Sequence, residues 1–378
     1  MRYLILLTAL VTTMIACRKQ SPEDEEQVVD NHPVLWKVEL DPDYSVRSTV
    51  PTLDEADNIY VLSRSNYFGM TECISRINSF NEQGDVRWEK EFKGEFLSGL
   101  ICQNSTLLLT TSVCSDLKRL YVISSNDGSL IKQIEVNYNT SFSSGSIAKF
   151  LGQNICLLSD TASFSKITLL DSEGNEIWHK YTNVRAEEIY TYDNSLFLRS
   201  FSKIQKYSAS NASCDLLWEW QQAEAYHISG IRFGNDGSLF FGNSGDVYHL
   251  SSSGQLENIV SITGLAVSDF KVSHDNKILI KNKNLFKYDL DGNEIWRTEE
   301  MYKNFFISIR DYTVEENGMI YIGDNKGIFA VNTEGEIEYV APESDDYIRA
   351  YNPAVNSEKN LVCLSYPGNN LYCLKGDY

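Results

Sequence analysis

Short apolar runs recur along the chain, and several alternate with polar residues at the period of a strand that buries one face. Ile59-Tyr60-Val61-Leu62, Leu107-Leu108-Leu109-Thr110, Leu196-Phe197-Leu198-Arg199, Leu239-Phe240-Phe241-Gly242, Ile278-Leu279-Ile280 and Met319-Ile320-Tyr321-Ile322 form one set of expected strands. A second set, including Tyr121-Val122-Ile123-Ser124, Ile167-Thr168-Leu169-Leu170 and Ile328-Phe329-Ala330-Val331, leads each time into a turn. Asp or Asn beside Gly supplies the positive φ that such a hairpin needs, and an apolar or Trp-ending partner strand follows it.

The turns repeat. Gly84-Asp85-Val86-Arg87-Trp88, Gly174-Asn175-Glu176-Ile177-Trp178 and Gly292-Asn293-Glu294-Ile295-Trp296 are the clearest copies. Weaker ones stand at Gly128, Gly254 and Gly335, and Cys214-Asp215-Leu216-Leu217-Trp218 is a copy that has lost its glycine. The spacings run from 38 to 46 residues, the range of propeller blades. With one more strand at the start of each unit, every period holds about four strands. At the ends, Leu35 to Leu40 reads as a final strand with no unit before it, and Asn370 to Leu374 as a strand before a turn. Pairing the two closes a ring, so the expectation is an all-β, eight-bladed β-propeller; seven blades is the alternative, should the degenerate unit at Trp218 be miscounted.

The N-terminus carries an address. Arg2, the apolar run Tyr3 to Ile15, and a small residue before Cys17 have the order of a secretory signal. The run is too short to span a hydrocarbon core of about 30 Å. Ile15-Ala16-Cys17 resembles the lipobox of bacterial lipoproteins, which implies cleavage after residue 16 and acylation of Cys17. Residues 17–32, with Ser21-Pro22-Glu23-Asp24-Glu25-Glu26, are too polar to fold and read as an acidic tether. Residues 33–378 are the propeller. The acidic run is also similar to surface-export signals, so an outer-membrane anchor on either the periplasmic or the outer face is expected.

Charge narrows the partners. With 33 Lys and Arg against 52 Asp and Glu in 378 residues, the net charge is −19, which repels phosphate backbones; nucleic acid is not expected. Chemistry is sparse. His32, His179, His227, His249 and His274 are scattered without ligand spacing, so no metal site is expected. Gly242-Asn243-Ser244-Gly245 falls where a blade hairpin belongs rather than forming a nucleophile elbow. Asp289-Leu290-Asp291-Gly292-Asn293-Glu294 resembles part of a calcium loop but reads as a turn. Cys73, Cys102, Cys114, Cys156, Cys214, Cys363 and Cys373 are odd in number and show no Cys-x-x-Cys; most sit in apolar runs and read as inert buried thiols. The blade-end Trp residues read as packing between blades. No catalytic residue is assigned.

The unit from Asp236 to Gly254, with the Gly-x-x-x-Trp endings, resembles the quinoprotein-type (PQQ-like) repeat. That resemblance spans roughly residues 34–378 and implies eight blades. The chain is short beside the quinone-dependent dehydrogenases and lacks the adjacent Cys pair found near their cofactor; in layout it is more similar to the BamB-type barrel-assembly lipoproteins. The expected function is a non-catalytic, monomeric, cofactor-free scaffold that binds an envelope protein through rim loops, with Tyr67-Phe68, Tyr302, Phe305-Phe306, Tyr347 and Tyr351 as candidate contacts. The alternatives are a PQQ-dependent oxidoreductase using the central channel and a surface glycan-binding protein.

Overall fold

The computed structural model describes residues 34–46, 50–65, 74–111, 118–136, 147–160, 164–222, 227–243, 245–262, 270–281, 284–298, 312–315, 317–324, 327–339, 351–365 and 369–376. Among these residues the chain forms eight small antiparallel sheets and no helix. Each sheet is a blade, numbered here in chain order. Blade 1 runs from Tyr44 to Lys93, blade 2 from Leu97 to Val136, blade 3 from Ala148 to Tyr181 and blade 4 from Glu188 to Gln221. Blade 5 spans Arg232 to Ser261, blade 6 Phe270 to Arg297 and blade 7 Tyr312 to Tyr339. Blade 8 is composite. Tyr351–Val355, Leu361–Ser365 and Asn370–Leu374 come from the C-terminus, and Val34–Glu39 from the N-terminus adds the outer strand.

Closure follows from register. Lys37 faces Tyr372, Val38 faces Leu371 and Glu39 faces Asn370, and the Leu40 N–H donates to the Asn369 carbonyl at 2.9 Å. The eight-blade expectation therefore holds, with the termini sharing a sheet.

The core lies between blades. Successive strand residues point to opposite sheet faces, so each second strand feeds two seams. Ile59 and Val61 pack toward blade 8 while Tyr60 and Leu62 pack toward blade 2; Leu361 and Cys363 face blade 7 while Val362 and Leu364 face blade 1. Eight apolar clusters result among the described residues, one per seam. This explains runs such as Leu107-Leu108-Leu109, which are apolar on both faces because both faces are covered.

The repeated tryptophan fastens one blade to the next. Trp36, Trp88, Trp178, Trp218 and Trp296 sit on outer strands and donate their indole N–H to Glu82, Ser125, Ser210, Ser252 and Thr333 carbonyls at 2.7–3.1 Å. Each acceptor belongs to the last hairpin turn of the following blade. The ring lies on that turn's glycine: a Cβ at Gly84, Gly128, Gly254 or Gly335 would come within 2.5–2.8 Å of the indole. In blades 2 and 5, Lys132 and Asn258 occupy the tryptophan position and reach Asn175 and the Leu290 carbonyl. In seven of the eight blades the outer strand slips register by one residue just before this position.

Gly254→Ala should accordingly cost about 2–4 kcal/mol, combining strain at positive φ with overlap of the Trp218 ring. Gly94 has a similar φ of +79° against +82° but no neighbour within 4 Å of a Cβ. Urea denaturation of Gly94→Ala beside Gly254→Ala separates the two contributions; equal losses would remove the packing role of the indole.

Candidate functional site

The two faces of the ring differ. One face carries the short hairpins between first and second strands and between third and fourth strands, most with a residue at positive φ. Its polar side chains are turned on their own turns. The Asp171 carboxylate accepts from the Glu173 and Asn175 backbone at 2.9 and 2.8 Å, and Asp289 accepts from Asp291 and Asn293 at 2.9 and 2.8 Å. The Asn293 side chain is the first of the contacts that hold the Asp289 acid below its ordinary range. The calcium-like string is thus a turn whose first carboxylate caps itself. No cluster of three metal-ligating side chains forms among the described residues.

The opposite face carries the connections from second to third strand and from blade to blade. Residues 66–73, 299–311 and 340–350, and with them Tyr67, Phe68, Tyr302, Phe305, Phe306 and Tyr347, are outside the described residues. Tyr351 begins the inner strand of blade 8. Two described parts of this face carry buried ion pairs: Glu95 after blade 1 accepts from Arg119 and Tyr121, and a larger group is built on blades 3 and 4. Ser165, the first residue of a third strand, pins the connection between them: its backbone N–H and hydroxyl engage Thr182 and Ala186. The turn after this pin delivers Glu187 and Glu188 to the end of the second strand of blade 4, where Arg199 waits. Arg199 donates to Glu187 at 2.6 Å, to Glu188 at 2.9 Å and to the Ile228 carbonyl at 2.9 Å. All three charged side chains are largely buried. Tyr190 adds a hydroxyl donor to Glu188, and burial pushes its own phenol above the usual range, reinforced by the charge of Glu188. His227 closes the group, 3.4 Å from Glu187.

Exposed aromatic rings stand on the same face. Phe164 is 39% exposed, Tyr181 54% and Phe201 46%. Phe164 meets Tyr181 edge-on at 5.7 Å, and Phe201 meets His227 edge-on at 5.6 Å. All three stand at strand ends on the face of the long connections. The sequence reading did not single them out, since each is one aromatic in a polar stretch; only the alternation of strand direction brings them to one side.

The histidines and thiols take separate places. His32 lies outside the described residues; His179 pairs with Glu176 on an outer strand at 2.6 Å, and the His274 carbonyl accepts from Asn235. Cys102, Cys156, Cys214, Cys363 and Cys373 are free, whereas Cys17, Cys73 and Cys114 lie outside the described residues. Burial raises all five thiols, Cys102 and Cys363 to about 12 and Cys214 and Cys373 to about 11, so they stay protonated and poor nucleophiles.

His249 gives the fold an acid-sensitive point. Its ring stacks on Phe240 at 4.4 Å and its Nε2 is buried without a partner among the described residues. Burial lowers its pKa below 6.5, against the opposing pull of Glu257 and Asp236. The unfolded chain binds this proton more readily, so the contribution is complete above about pH 6.5 and is lost as pH falls through the depressed folded value. His249→Phe should flatten the fall in urea midpoint between pH 7 and pH 5; an unchanged slope would remove His249 as its source.

No protein-family model matches the chain, and no curated protein sequence matches it. Solved structures do. BamB from Moraxella catarrhalis superposes with a TM-score of 0.62 at 15% identity, covering 92% of this chain and 98% of that one. Sqt1 from Saccharomyces cerevisiae reaches 0.63 at 9% identity, covering 92% and 100%. A europium-containing methanol dehydrogenase reaches 0.54 at 11% identity, covering 88% and 84%. At these identities the likeness establishes architecture alone, in agreement with the eight-bladed β-propeller described above.

Proposed function

We propose that the chain is a non-catalytic scaffold that docks an envelope protein through the face of blades 3 and 4, and that an acylated Cys17 holds it to a membrane. The observation behind the docking half is the exposure of Phe164, Tyr181 and Phe201 on one face, with Phe201 set against His227 of the buried ion-pair cluster. Exposed aromatics on a rigid base are the composition of interaction hot spots, and a scaffold-held rim is where recognition concentrates. The resemblance to BamB-type lipoproteins favours the same reading, as do the lipobox and tether.

Tyr181→Ser with Phe201→Ser should cost about 2 kcal/mol or more per ring in partner affinity while leaving the melt unchanged, because neither ring belongs to a seam. Cross-linking from membrane fractions, repeated with the double variant, measures this; a partner recovered equally by both proteins sinks the assigned face. Cys17→Ser should move the protein to the soluble fraction with the fold intact. An oxidoreductase is the competing reading, favoured by the likeness to methanol dehydrogenase. Dye-linked alcohol oxidation with added PQQ and Ca²⁺ decides between them, since turnover would overturn the scaffold.

A further inference from the structure

The outer strands carry an apolar belt that packing does not explain. Each register slip inserts one residue, and in five of the seven slipped blades that residue is aliphatic: Leu35, Ile131, Ile177, Leu217 and Ile295. All five are exposed, by 37–54%. Arg87 and Glu257 fill the same place in blades 1 and 5, so the bulge itself does not require an aliphatic side chain. The residue before the inserted one is exposed and aliphatic at Val34, Val86, Leu130, Leu216 and Leu256. Single exposed apolar residues are ordinary; here they recur at one end of every slipped outer strand, on the side of the short hairpins.

The belt is continuous where tryptophan links the blades. Trp36 lies on Gly84, two residues before Val86, and Trp88 lies on Gly128, two residues before Leu130. Blades 8, 1 and 2 thus present Val34, Leu35, Val86, Leu130 and Ile131 as one arc. That arc is also where the chain enters the ring, since Val34 starts the outer strand of blade 8. Sixteen residues separate Val34 from Cys17, and at the covalent limit that stretch spans no more than about 60 Å. A Cys17 seated in a bilayer therefore keeps the arc near the lipid. Contact between the two becomes intramolecular, so even a weak one is populated.

We propose that the arc of blades 8, 1 and 2 rests on the lipid surface that holds Cys17, with its aliphatic side chains in the headgroup layer. The inference rests on the acylation of Cys17 proposed above and adds an orientation to it. Apolar area drives the contact, because a net charge of −19 is repelled by anionic headgroups; the lipid is accordingly zwitterionic. Blade 4 lies opposite blade 8 in a ring of eight, and Phe164, Tyr181 and Phe201 stand on the face of the long connections. Seating the arc leaves that docking face open to a partner.

The test uses the acylated chain in dioleoylphosphatidylcholine vesicles that contain a diazirine-bearing phosphatidylcholine, with lipid adducts mapped by mass spectrometry after illumination. Peptides holding residues 34–35, 86 and 130–131 should carry at least about fivefold more adduct than those holding 216–217 and 295. Leu35→Ser with Val86→Ser should lower the adducts at 130–131 as well, with the melt unchanged, because the whole arc lifts away. If that variant melts early, Leu130→Ser with Ile131→Ser gives the same decision at 34–35 and 86. Equal adducts around the ring overturn the contact, as do chain-to-chain cross-links at the arc in place of lipid adducts, which would assign it to a second copy. Absence of acyl label on Cys17 overturns the anchor and the contact with it, whereas a labelled Cys17 with uniform adducts overturns the contact alone.

Discussion

Removal of residues 34–40 is expected to abolish the cooperative melt and drive the protein into oligomers. Those residues form the whole outer strand of blade 8, and the loss is not confined to its hydrogen bonds. Trp36, Val38 and Leu40 pack against Val46, Ile59, Val362, Leu371 and Cys373 at the seam between blades 8 and 1. The Trp36 indole also covers Gly84 and donates to Glu82, so the deletion strips a turn in the following blade. Burial of three such side chains contributes on the order of 5 kcal/mol, against a total stability of about 5–15 kcal/mol for a typical protein. The truncated sheet would then offer Asn370–Leu374 as an open edge. Calorimetry with light-scattering chromatography reads both effects, and an unchanged melt with monomeric elution would mean that the ring is held elsewhere.

Arg199→Ala should cost about 3–5 kcal/mol, because it leaves Glu187 and Glu188 buried without a cation. The pair is 10% and 16% exposed at the side chain, so water cannot replace the guanidinium. Arg199→Met combined with Glu187→Gln and Glu188→Gln should recover most of that loss, since the buried charges are then removed together. A single variant as stable as the parent would show that the cluster is solvated. Because His227 and Phe201 rest on this cluster, the single variant should also weaken partner capture, which the triple variant tests independently of stability.

The architecture was legible because its signals are local and repeated. The spacing of Gly84, Gly174 and Gly292 from Trp88, Trp178 and Trp296 encodes a turn and the residue that locks the turn of the next blade, and the surplus strand at 370–374 matched the strand missing before residue 40. Even Trp218 held its place after its glycine was lost, since the strand, not the turn residue, positions the ring. The inner strands were not legible. Arg232–Phe233 is two residues long and Phe270–Val272 three, too short for any period to show. Arg199 closed an apolar run and Glu187 opened a polar one; that they meet follows from the pairing of the first two strands of blade 4, where Glu188 faces Arg199, which neither segment encodes alone.

Joining the two ends of the chain still leaves each blade an outward edge, where a strand from a second molecule could add itself. The register slip ahead of each tryptophan position interrupts that edge within a few residues of its start in seven blades, and bulged edges pair poorly. Blade 7, which keeps an even register, offers only Ile337–Tyr339. Each copy also carries a charge of −19, which opposes edge-to-edge approach. The device that seats a ring on the neighbouring blade thus also shortens the regular part of each outward edge.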